Sequence, residues 1–105
     1  MRKILATVLL ALMAGQAAAF PTDLVIEAGE LNIDAVAIQD GRVAGVRVTN
    51  REAFPVRCSA AFRNGPETGR ARGTVIASAE TRTLSWIPQR QVVRMRIELR
   101  CERDD

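Results

Sequence analysis

Histidine and tyrosine do not occur in this chain, and its one lysine is Lys3. Without histidine, the side chain that most often serves as general base and metal ligand near neutral pH is missing. Without tyrosine, and with lysine confined to the third position, two further acid–base or nucleophilic groups are gone. No phosphate-binding loop, nucleophile elbow or dinucleotide fingerprint occurs. Gly65-Pro66-Glu67-Thr68-Gly69 is too short and too proline-interrupted to cradle a phosphate, and it reads as a plain loop. The carboxylates Glu27 and Glu30, and Glu102, Asp104 and Asp105 near the C-terminal end, read as solvated loop and tail rather than a calcium site. These gaps argue against an enzyme, and no cofactor or metal is expected.

Cysteine is also scarce, with only Cys58 and Cys101. They form no C-x-x-C pair, and without histidine a zinc site has too few ligands. The expectation is one structural disulfide in an oxidising compartment, closing a long loop and contributing about 3–4 kcal/mol. Small domains bury a modest share of their surface, so such a staple is a large part of their stability.

What is present begins with an export pattern. Arg2 and Lys3 precede an apolar run over 4–13, and Ala17-Ala18-Ala19 offers a small-residue cleavage site before Phe20-Pro21. The run is shorter than the ~20 residues a spanning helix needs. The reading is a helical signal peptide over 1–19 and one domain over 20–105, periplasmic or secreted, with no later stretch able to span a bilayer. Removing Arg2 and Lys3 takes the formal charge from +3 to +1. Thirteen arginines then face twelve carboxylates. That near balance, together with export, argues against nucleic acid as a partner.

The remainder alternates with the period of strands. Segments 22–28, 31–39, 42–49, 56–63, 70–77, 81–87 and 91–101 read as seven strands, with no amphipathic helix. Asp40-Gly41 is the strongest hairpin signal, Asp34-Ala35 suggests a bulge, and 64–69 reads as a loop. In the clearest strand Val93, Met95, Ile97, Leu99 and Cys101 share one face, and Arg94, Arg96, Glu98 and Arg100 share the other. Val56, Cys58, Ala60 and Phe62 alternate in the same way with Arg57, Ser59, Ala61 and Arg63. Short alternating strands at this spacing predict an antiparallel immunoglobulin-like β-sandwich of about seven strands, with a small barrel as the alternative. Both cysteines fall on apolar faces. Trp86, in register with Leu84, reads as a core residue, and Phe54 as a plug at one end.

Val48-Thr49-Asn50, Phe54-Pro55-Val56-Arg57-Cys58, Phe62-Arg63-Asn64-Gly65-Pro66-Glu67 and the closing segment 93–101 carry a resemblance. On these segments the chain resembles a group of small exported bacterial β-rich proteins of unknown function, whose members sometimes bear the label 3-phosphoglycerate kinase. An exported β-chain of this length has no room for the two lobes of that kinase, so the label does not transfer. The resemblance implies fold and location and supplies no catalytic residues.

The arginines are the main binding candidates. Arg57, Arg63, Arg94, Arg96 and Arg100 lie on the polar faces of two strands. A Cys58–Cys101 bridge between neighbouring strands places them on one outer face, whereas a bridge across the sandwich sends them to opposite sides. A joined face suits anionic lipid head groups, phosphorylated glycans or an acidic protein. The same residues also read as an ordinary solvated face balanced by Glu67, Glu80 and Glu98. The resulting expectation is a non-enzymatic binding or interaction module of the bacterial cell envelope. Its partner is an envelope protein or an anionic envelope component, met through this face or an open sheet edge.

Overall fold

A computed structural model describes residues 20–105; the expected signal peptide and its helix lie outside the described residues. Seven strands follow in order: β1 (Thr22–Glu27), β2 (Ile33–Asp40), β3 (Val43–Asn50), β4 (Val56–Asn64), β5 (Glu67–Ile76), β6 (Thr81–Trp86) and β7 (Met95–Arg103). No helix occurs among the described residues. One sheet has the order β1-β7-β4-β5 and the other β2-β3-β6.

The alternation that marked the strands in the sequence is the alternation of burial. Val56, Cys58, Ala60, Phe62 and Asn64 of β4 are buried, as are Met95, Ile97, Leu99 and Cys101 of β7. The opposing sheet contributes Ala44, Val46, Val48 and Leu84 to the same core. Trp86 is half-buried against this core, with its ring centroid 5.8 Å from that of Phe62. Phe54 also packs on the core from one end, and the Arg103 guanidinium lies 4.1 Å from its ring centre.

The pairing is antiparallel except at β1, which runs parallel to β7 from Thr22↔Met95 to Glu27↔Arg100. Constant-type immunoglobulin order puts the second and third strands in different sheets. Here β2 and β3 form a hairpin within one sheet.

Several boundaries differ from the sequence reading. Asp40 pairs with Val43, so the hairpin centres on Gly41-Arg42, with Gly41 at φ 58°. The expected 64–69 loop shrinks to the two residues Gly65-Pro66, because Asn64 already pairs with Glu67. Gly65 has φ 60° and proline fixes a negative φ, the sign pattern of a type II′ hairpin. No bulge occurs at Asp34-Ala35, where the β2–β3 register is unbroken: Ala35 packs on the core and Asp34 is exposed. The bulge lies instead on β5, where Arg72 and Gly73 together oppose Ser59.

The last strand begins at Met95 rather than at 91. The Asn64 side-chain amide donates to the carbonyls of Arg90 and Gln91 and holds that segment out of the ladder. It also runs past Cys101: Glu102 belongs to β7, and the Asp104 backbone N–H donates to the Pro55 carbonyl at 3.1 Å, so neither belongs to a loose tail.

Candidate functional site

Cys58 and Cys101 are bonded, with Cα atoms 4.1 Å apart, at directly opposed positions of β4 and β7. The bridge therefore joins neighbours within one sheet. Both sulfurs point inward, so the residues flanking them point outward together. Along the shared ladder Arg57 opposes Glu102, Ser59 opposes Arg100, Ala61 opposes Glu98, and Arg63 opposes Arg96. Four of the five candidate arginines thus share the outer face of the four-stranded sheet. Arg94 sits just before β7 at its edge, where it meets Asp23 of the neighbouring strand.

Most of this charge is compensated internally. Arg57 pairs with Asp104 at 3.2 Å, and its aliphatic stem lies over Gly73. Arg94 pairs with Asp23 at 2.9 Å, Arg96 with Glu98 at 3.0 Å, and Arg100 with Glu27 at 3.0 Å. The Arg94 hydrogen bond holds the Asp23 carboxyl below its usual range, and Asp23 in turn raises the Arg94 guanidinium. These pairs are exposed, and such pairs contribute little to stability.

Arg63 is different. Among the described residues it makes no ion pair, and it lies directly across from a second arginine. Like charges at opposed positions repel.

Two residues missed in the sequence reading complete the face. Arg70 opposes Ala61 from β5, and Arg72 lies two residues further along that strand, within the bulge. Neither makes an ion pair among the described residues. Their alternation with Ala71 and Gly73 was visible in the sequence. That β5 lies beside β4 was the missing fact.

Between these arginines the sheet surface is low, because Ser59, Ala61 and Gly73 carry almost no side chain. Two adjoining depressions result. One, of about 420 Å³, has Ser59, Ala61 and Gly73 on its floor and Arg70, Arg72 and Arg100 on its rim. The other, of about 480 Å³, is bounded by Arg63, Arg70 and Arg96. They share Ala61, Arg70 and Glu98, so they form one trough across the sheet. Its lining holds five arginines against two glutamates, Glu27 and Glu98, a formal +3. Residues 20–105 carry +1 in all, so the rest of the domain is at −2. The positive charge is concentrated in this trough.

Chemically the trough offers planar guanidinium donors at an exposed surface. Among the described residues, no helix is long and apolar enough to cross a membrane. No family model matches the chain, and no curated protein matches it.

Proposed function

We propose that this chain is a non-enzymatic binding module of the bacterial cell envelope, periplasmic or secreted, which engages an anionic envelope component through the outer face of its four-stranded sheet. One observation carries the reading: Cys58 and Cys101 are neighbours in one sheet, which puts Arg57, Arg63, Arg96 and Arg100 on a common surface. The charge distribution supports it, since an otherwise acidic domain gathers a positive trough there. The buried disulfide suits an oxidising compartment outside the cytoplasm and fits the expected signal peptide. The resemblance to small exported bacterial proteins belongs to the same reading. So does membership of the broad immunoglobulin-like sandwich class, whose members share layers without sharing strand order.

The test is retention of envelope components by the oxidised protein at low and high salt. An anionic component held at low salt and released as salt rises is the expected result. A protein partner that survives high salt would move the contact to an open sheet edge. Retention of nothing at either salt would overturn the proposal.

A further inference from the structure

Resting on that reading, we infer that the trough takes a linear anionic glycan, a chain bearing phosphate or carboxylate groups on successive units, and that Arg63, Arg70 and Arg72 are its principal contacts. Of the ion-paired arginines, Arg96 and Arg100 line the trough and are secondary contacts, while Arg57 and Arg94 lie outside it.

The cations of this face differ in whether they are already paired. Arg57, Arg94, Arg96 and Arg100 each already hold a carboxylate. A ligand must displace that partner or share its guanidinium. Arg63, Arg70 and Arg72 hold none among the described residues. Arginine presents a planar fork of donors that matches an oxyanion, so a free arginine is the stronger anchor.

The free arginines are also in a row. Arg63 sits beside Thr68, Arg70 beside Ala61, and Arg72 near Ser59. Along β5 these register positions step by two residues, or about 7 Å each. One end of the row has a standing repulsion, since Arg63 faces Arg96 across the ladder. An oxyanion between them offsets it.

The shape of the surface selects the occupant. Ser59, Ala61 and Gly73 form a recessed floor between the guanidinium groups. A flat bilayer surface reaches only the rim, whereas an extended chain lies along the floor and meets the row in sequence. Glu98, in the middle of the trough, is engaged by Arg96 at 3.0 Å and is left as an acceptor for hydroxyl groups.

The test uses the oxidised protein with phosphorylated mannan chains, polygalacturonate and phosphatidylglycerol vesicles as probes. Arg63→Ala/Arg70→Ala/Arg72→Ala is compared with Arg57→Ala/Arg94→Ala/Arg100→Ala, which removes the same charge. The first set is expected to weaken chain binding by about tenfold or more, and the second by no more than about twofold. Ala61→Leu fills the floor without changing charge and is expected to weaken chain binding while leaving any vesicle binding unchanged. Equal losses in the two triple variants would overturn the inference by showing that face charge alone matters. Vesicle binding as tight as chain binding would also overturn it. If neither chain is held while an envelope component of another kind is retained, the inference fails and the binding-module reading stands.

Discussion

Gly69 and Trp86 make contact where the two sheets meet. A Cβ on Gly69 would overlap the indole ring, so the ring lies directly on the β5 backbone. Gly69→Ala is expected to push the indole outward and expose it. Trp86 is the only tryptophan, so a red shift in its emission reports the change directly, and an unshifted spectrum would reject this packing. Asn50 acts at the opposite end of β5. Its buried side-chain amide donates to the carbonyls of Phe54 at 2.8 Å and Ile76 at 3.0 Å, and its side-chain oxygen accepts the Glu52 backbone N–H at 2.8 Å. Asn50→Ala leaves those partners unpaired and is expected to cost about 2–3 kcal/mol. Urea denaturation measures this, and a loss of a few tenths would mean that water replaces the amide.

At the scale of elements, the stretch between β6 and β7 is long but held. The Glu67 carboxylate accepts backbone N–H groups from Gln89 at 2.6 Å and Arg90 at 3.2 Å, and Arg42 donates to the carbonyls of Pro88 and Gln89. The Gln89 hydrogen bond holds the Glu67 carboxyl below the ordinary glutamate range. A carboxyl lowered by folding contributes stability above its unfolded value and loses it as pH falls through the folded one. Stability is therefore expected to decline below about pH 4.3, and Glu67→Gln should flatten that decline. Denaturation curves collected across the acid range decide it.

This stretch also marks where sequence reading reached its limit. Strands β4 and β7 were legible because every second residue is apolar over eight or more positions. The pairing of the cysteines was legible because only two exist. The start of β7 at Met95 was not, because Asn64 and Glu67, which hold the preceding residues, come from a distant hairpin. The β5 bulge was equally hidden: Arg72-Gly73 takes its shape from the partner strand, and nothing local announces it. The arginine face was half legible. Each arginine could be assigned to the polar side of its own strand, but which strands adjoin is set by long-range pairing.

For the whole molecule, the disulfide closes a segment of 43 positions. It encloses β5 and β6 and joins β4 to β7, while β1, β2 and β3 precede it. Replacing both cysteines by alanine is expected to cost about 3–4 kcal/mol and to lower the thermal midpoint by more than about 10 °C. A change of a degree or two would show that core packing alone sets the stability. The parallel pairing of β1 and β7 has a mechanical consequence. The first and last strands of the described chain lie side by side, in register over six residues and pointing the same way. Tension applied between the N-terminal and C-terminal ends therefore loads all six positions in shear at once, instead of peeling them one by one. After that clamp breaks, the oxidised chain pays out only the residues outside the cystine ring. Reduction should add about 150 Å of extension to each unfolding event in a single-molecule pulling trace.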